Sequence, residues 1–245
     1  MNKPILVFQA PIATRSGYGD HSRDILKSLF ELDKYDVKVV PTRWGNTPQD
    51  QINPQTEFGQ RILNSIVTQL KQKPDIFIQV SVANEFKKMG NYNIGITAGV
   101  ETTLAPQEFL QGGNLMDLII TPSQFTKDVL LGTSYSQVDK NTKQKVGELR
   151  LEKPVEVLFE GVDTDLYGVT NEFSKELVDE FKNIKEDFCF LHVGHWLQGN
   201  LGEDRKDLGM LVKVFYETFK NQKNQPALIL KTSGATPCIL DREDI

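Results

Sequence analysis

An α/β fold built on a mostly parallel sheet is predicted by three features of this sequence. Short apolar runs alternate with helical patterns almost throughout its 245 residues. The runs are rich in Val, Ile, Leu and Phe without strict alternation, as in strands buried on both faces. The stretches between them carry apolar residues at helical spacing, and strand–helix alternation of this kind builds parallel sheets. Composition agrees: 39% apolar and 25% charged residues suit one large or two small globular domains and exclude disorder as the main state.

Taken in order, Ile5–Gln9 is the first strand, and the opening MNKPILVFQAP, with one Lys and a very short apolar run, reads as that strand rather than as a signal peptide. The next helix carries the stripe Ile25, Leu26, Leu29 and Phe30. Val37–Val40 is the second strand. Phe58, Ile62, Ile66 and Leu70 then recur every four residues, widened by Leu63 and Val67, which predicts a helix reaching Leu70. Asp75–Val80, Asn93–Thr97 and Asp117–Ile120 are strands. In Thr121-Pro122-Ser123, Pro suits a first helical position with Thr121 as N-cap. Gly132–Lys153 is polar and mixed in charge, which predicts a surface loop with one weak helix. Val155–Phe159 is a further strand.

A second pattern begins near Asp187: strand Phe188–Val193, helix stripe Leu208, Leu211, Val212, Phe215 and Phe219, and strand Pro226–Lys231. Two strands and one helix are less than a parallel sheet needs to cover both faces. Residues after about 187 therefore read as the opening of a second α/β domain. That leaves a truncated fragment, strands that extend another sheet, or a domain completed by a second chain or by self-association.

Several function classes are excluded. No stretch approaches the roughly 18 uncharged apolar residues of a membrane helix. Cys189 and Cys238 are too few for a disulfide framework or a zinc site, Cys189 reads as a small core residue, and a reducing cytoplasm fits. A net charge of −5 argues against a generic polyanion binder. No nucleophile elbow, P-loop or zinc-protease helix is present. Of the three histidines, His192 lies in a strand and reads as structural, whereas His21 and His195 lie in strand-end loops.

Four motifs bear on chemistry. Arg15-Ser16-Gly17-Tyr18-Gly19-Asp20-His21-Ser22 joins the first strand to a helix, where glycines allow close backbone approach and a helix N-terminus offers N–H groups. It is not a dinucleotide fingerprint, since Ser22 stands at the third glycine position and Pro41-Thr42, not an acid, closes the second strand. This counts against a nicotinamide-dependent dehydrogenase. Gly194-His195-Trp196, with Arg205 and Lys206 further on, repeats the strand–loop–helix arrangement and adds two cations suited to a diphosphate. Gly95–Thr103 places Glu101 just past a strand end, where a carboxylate can accept hydroxyl hydrogen bonds or move a proton. Asp163-Thr164-Asp165 spells a metal-binding tripeptide, but its position after a strand end reads better as a cap than as a metal site.

Together these words resemble, in order, the retaining GT-B-fold glycosyltransferases of family 4. Ser16-Gly17-Tyr18-Gly19 looks like the N-domain glycine loop. Gly95–Thr103 with Leu104-Ala105-Pro106 is similar to the segment ending in Glu and Pro. Thr121-Pro122-Ser123-Gln124-Phe125-Thr126-Lys127 resembles the family's helix start, Gly161-Val162-Asp163 the close of the N-terminal domain, and Phe190–Gly194 with Trp196, Arg205 and Lys206 the opening of the donor domain. The resemblance implies two Rossmann-like domains facing a cleft: an acceptor-side domain over 1–168 and an incomplete nucleotide-sugar domain over 169–245. It implies transfer from a nucleotide-diphosphate sugar to an acceptor not identified by the sequence, with retention, no cofactor and no required metal. Glu101 and His21 would serve catalysis. Gly17, Tyr18, Gly19, Gly194, His195, Trp196, Arg205, Lys206, Thr232 and Ser233 would bind the donor, with Gly234 beside them. His195 stands where the family carries a basic residue, and the family's later Glu-rich motif is absent. A non-catalytic binding or assembly module that needs a partner chain is the alternative expectation.

Overall fold

The computed structural model describes residues 3–139, 141–164, 167–170, 172–196, 200–203 and 206–233. The chain divides into two compact units, 1–161 and 162–245, the division falling inside Gly161-Val162-Asp163. No described helix is long and apolar enough to cross a membrane.

Unit 1 runs β1 (Ile5–Ala10), α1 (Gly17–Leu32), β2 (Asp36–Pro41), α2 (Glu57–Ser65), β3 (Ile76–Val80), a 3-10 turn (Ala83–Glu85), β4 (Tyr92–Ile96), α3 (Gln107–Gly113), β5 (Leu118–Thr121), α4 (Gln124–Gly132), β6 (Ser134–Val138), β7 (Lys145–Arg150) and β8 (Val155–Val157). Six strands form one parallel sheet in the order β2-β1-β3-β4-β5-β8. Helices flank this sheet, so the chain is α/β and Rossmann-like in its first unit.

Alternation along β1 divides the interior. Leu6, Phe8 and Ala10 point into one cluster with Leu26 and Phe30 of α1, Ile62 of α2, and Ile78 and Val80 of β3. A second cluster gathers Phe86, Leu110, Met116, Ile119, Leu130 and Val155 around α3 and α4. Burying one such Phe or Leu side chain is worth about 1.5–3 kcal/mol, so these clusters, not helix propensity, hold the short helices in place. The caps are local. Ser16, Thr56 and Ser123 each accept a backbone N–H three residues on, opening α1, α2 and α4.

Three expectations need correction. The helix predicted to reach Leu70 ends at Ser65. Ile66 instead bridges Val39, and the Val67 N–H donates to the Val39 carbonyl at 3.0 Å, so the edge of β2 captures these β-branched residues as extended chain. Thr121 is the last residue of β5 rather than an N-cap, and Ser123 caps α4 with its hydroxyl 3.2 Å from the Thr126 nitrogen. Beyond Gly132, the last residue of α4, the described residues up to 153 hold no helix. Their core is the antiparallel hairpin β6–β7, whose Tyr135 and Leu149 pack against the second cluster while the Tyr135 hydroxyl donates to the Ala105 carbonyl at 2.7 Å.

Unit 2 contains α5 (Lys175–Phe181), β9 (Cys189–His195), α6 (Leu208–Phe219) and β10 (Ala227–Ser233). β9 and β10 pair in parallel, with His192 opposite Leu230 and Gly194 opposite Thr232. α6 covers one face: Phe190 meets the rings of Phe215 and Phe219 at 6.0 and 5.8 Å. Cys189, expected in the core, is half-buried. Among the described residues of this unit, Leu208 is the one fully buried apolar side chain.

Candidate functional site

A parallel sheet presents all its strand-to-helix loops at one edge. In unit 1 the order reverses at β1, because β2 lies on one side of it and β3 on the other. Such a reversal opens a crevice outside the carboxyl ends of the strands. Gly17, Tyr18, Gly19, His21, Glu101 and Glu160 all follow strand ends at this edge.

The glycine loop is rigid on one side and open on the other. Arg23 donates to the carbonyls of Ile12 and Thr14 at 2.9 and 3.0 Å, and Arg15 pairs with Asp50. A Cβ at Gly19 would overlap the Thr14 carbonyl oxygen, so this glycine serves close packing of the loop. At Gly17 a Cβ would meet nothing within 4 Å. The Ser16 cap engages the Gly19 N–H, and the N–H groups of Gly17 and Tyr18 precede the first intrahelical bond.

Tyr18 crosses from this loop to the β4 loop. Its hydroxyl lies 3.2 Å from Thr97 Oγ1 and accepts the Ala98 N–H at 3.0 Å. Its ring stacks on Trp44, with centroids 4.0 Å apart. Burial pushes the Tyr18 hydroxyl above its ordinary acidity range, and Glu160 adds to that, although the bonds to Thr97 and Ala98 pull the other way. Tyr18 is thus spent on bracing one loop against another, a role its place in a glycine motif did not reveal.

The braced loop carries Glu101. The Gly99 N–H donates to Thr97 Oγ1 at 3.2 Å, and Thr126 Oγ1 donates to the Ala98 carbonyl at 3.3 Å. Gly99 has φ +88°, and a Cβ there would overlap Thr126 Cγ2. Only glycine satisfies both constraints. Two residues on, Glu101 is exposed and has interactions of its own. His21, largely buried on α1, has Nδ1 3.8 Å from Glu160 Oε1, so the chain beyond β8 turns back over the edge to meet α1. Sequence reasoning did not single out Trp44, Thr97, Thr126 or Glu160 as site residues. All but Thr126 stand at or just past strand ends, which is the one local signal they share.

In unit 2, Gly194 and His195 end β9, and Trp196 follows, half-buried. Thr232 and Ser233 end β10 in register with Gly194 and His195. Among the described residues, the buried Thr232 Oγ1 and His192 Nε2 have no hydrogen-bond partner. Buried polar atoms left in that state mark strain, function or an absent partner group. A Cβ on Gly194 would come within 3.0 Å of His192 Nε2, so the glycine accommodates that imidazole. Lys206 is exposed just before α6 and has interactions of its own. Arg205, Gly234 and Asp165 lie outside the described residues. No group of three or more His, Cys, Asp or Glu among the described residues is gathered to hold a metal ion.

No family model matches this chain, and no curated protein matches it significantly.

Proposed function

We propose that this chain contributes to a retaining glycosyl transfer from a nucleotide-diphosphate sugar. The observation that carries the reading is the convergence at one sheet edge of the open Gly17 position, the braced loop bearing Glu101, and the His21–Glu160 pair. Backbone N–H groups, a carboxylate and an imidazole carried on the loops of one sheet edge suit a hydroxyl-rich ligand with a phosphate. The motif order Gly17–Gly19, Glu101, Gly161–Asp163 and Gly194–Lys206 adds the resemblance to family 4.

In this reading, the bond between the sugar anomeric carbon and the diphosphate oxygen breaks. An acceptor hydroxyl oxygen takes its place on the same face, and its proton leaves with the departing phosphate or through His21. Negative charge grows on the diphosphate in the transition state, and donors already aimed at it contribute most there. Unit 1 offers the Gly17 and Tyr18 N–H groups for that role, and unit 2, taken by itself, offers Arg205 and Lys206. Glu101 orients sugar or acceptor hydroxyls. Gly194, His195, Trp196, Thr232 and Ser233 are assigned to the nucleotide, and the unpartnered Thr232 hydroxyl supports that assignment.

The test is calorimetry and radiometric transfer with UDP-, GDP-, ADP- and dTDP-sugars. Saturable binding of one donor, weakened tenfold or more in Gly17→Val, supports the reading. Absence of binding for every donor overturns it.

A second reading has its own observation. In unit 2, Leu191 and Val193 are each 65% exposed on the face that α6 does not cover. A parallel sheet bare on one side favours a binding or assembly module that works with a partner chain. Light scattering after size exclusion separates the two, since an active monomer counts against the second.

A further inference from the structure

The early end of α2 has a consequence on the other side of the sheet. Leu6, Phe8 and Ala10 face α1 and α2, so Val7 and Gln9 face away from both helices. On that side the β2–β3 connection passes as the non-helical residues 66–75, not as a helix. Loop chain covers β1 and β2 less completely than a helix would. Beneath it lies a pocket of about 250 Å³ with Val7, Val40, Val67, Leu70, Phe77 and Met89 as its apolar lining and Gln9, Thr68 and Gln69 as its polar lining. Val7 and Phe77 are fully buried at its floor, and Met89 is exposed at its rim.

Its chemistry is specific. None of the lining residues is charged. Gln9 and Gln79 are cross-strand partners, yet their amides are used differently. Gln79 donates to the Glu85 carbonyl and accepts the Lys87 N–H, both at 2.9 Å. The Gln9 side chain makes no hydrogen bond to any described residue. Thr68 and Gln69 are exposed on the covering loop, whereas the Gln9 amide stands on the sheet itself and retains one acceptor and two donors for a ligand. Met89 is the kind of flexible, polarisable residue that adapts to what enters.

We propose that this pocket binds a small neutral molecule, apolar over most of its surface, with one hydroxyl or carboxamide that pairs with Gln9. An apolar cavity of about 150 Å³ is known to hold benzene, so this one takes roughly ten non-hydrogen atoms. The site is separate from the sheet edge described above, and its test does not depend on sugar transfer.

The probes are benzyl alcohol and toluene, titrated into the full chain labelled at Val, Leu and Met methyls. Benzyl alcohol shifts the methyls of Val7, Val40, Leu70 and Met89 saturably and binds at least fivefold more tightly than toluene. Gln9→Leu removes that preference. Val40→Phe fills the pocket and abolishes both probes. Should Val40→Phe fail to fold, Leu70→Trp occludes the same space from the exposed loop. Shifts that do not saturate, that spread over surface methyls, or that survive the filling variant overturn the site. Equal binding of the two probes in the unmodified chain overturns the role of Gln9.

Discussion

In unit 1, Val7, Phe8 and Phe77 are shut off from solvent on opposite faces of one six-stranded sheet. In unit 2, α6 covers one face of β9–β10 and leaves Leu191 and Val193 largely exposed on the other. Both units use the same parallel strand chemistry. The difference lies in coverage: a parallel strand gains most of its stability when both faces are dry. Unit 1 can therefore hold loops rigidly at its edge, as the Tyr18–Thr97 brace shows. Unit 2 offers the same type of strand-end loop on a thinner support.

The largest expected effect breaks or confirms this contrast. Phe8→Ala should cost about 3–5 kcal/mol, as for a fully packed aromatic. Phe190→Ala, on a ring that is 44% exposed, should cost about half as much or less. Denaturant unfolding followed by Trp44 in unit 1 and Trp196 in unit 2 reads the two separately. A costlier Phe190→Ala would mean that unit 2 is the better packed.

Next come the glycines. Gly99→Ala combines positive φ with overlap on Thr126 and should destabilise unit 1 by about 1–3 kcal/mol. Gly17→Ala, in open space, should stay within about 0.5 kcal/mol in thermal melting. Donor binding should weaken in Gly17→Ala all the same, which separates a site glycine from a packing glycine.

Tyr18→Phe should cost about 1 kcal/mol, since the Ala98 N–H and Thr97 hydroxyl lose a partner. It should also change the alkaline limb. With its folded-state pKa raised above 10.0, Tyr18 binds its proton more tightly in the folded chain. Its contribution is complete below about pH 10 and declines as pH rises from there. Urea midpoints between pH 9 and 11 should fall less steeply in Tyr18→Phe. Asp117 works at the other limit. Hydrogen bonds from the Asn93 side chain and backbone lower its pKa, so it stabilises above pH 3.8 and the benefit is lost as pH drops below that. The smallest effect is Leu191→Ser, which should change stability by no more than about 0.5 kcal/mol.

How much of this was legible in the sequence depends on the range of the signal. Buried parallel strands were readable because runs such as Leu6-Val7-Phe8 carry the signal locally. Ile66 and Leu70 continued a helical pattern, yet the pairing of Ile66 with Val39 overrode it, and no local window contains both residues. The polar hairpin β6–β7 lacked an apolar run to announce it, and its register is set by pairing and by Tyr135 reaching Ala105. The same holds at the edge. Gly17, Gly19 and Glu101 stood out as strand-end residues. That Tyr18 would spend its hydroxyl 79 residues away on Thr97, or that Glu160 would return to His21, follows only from the folded sheet.

We propose that nucleotide-sugar binding takes place at the carboxyl edge of a sheet, each unit being tested by itself. Its most direct test is amide NMR of the nitrogen-labelled chain during titration with the four donor classes. The predicted result is saturable shifts at the Gly17, Tyr18 and Gly99 amides of unit 1 or at the Gly194 and His195 amides of unit 2. Unchanged resonances at all of these positions with every donor would contradict it.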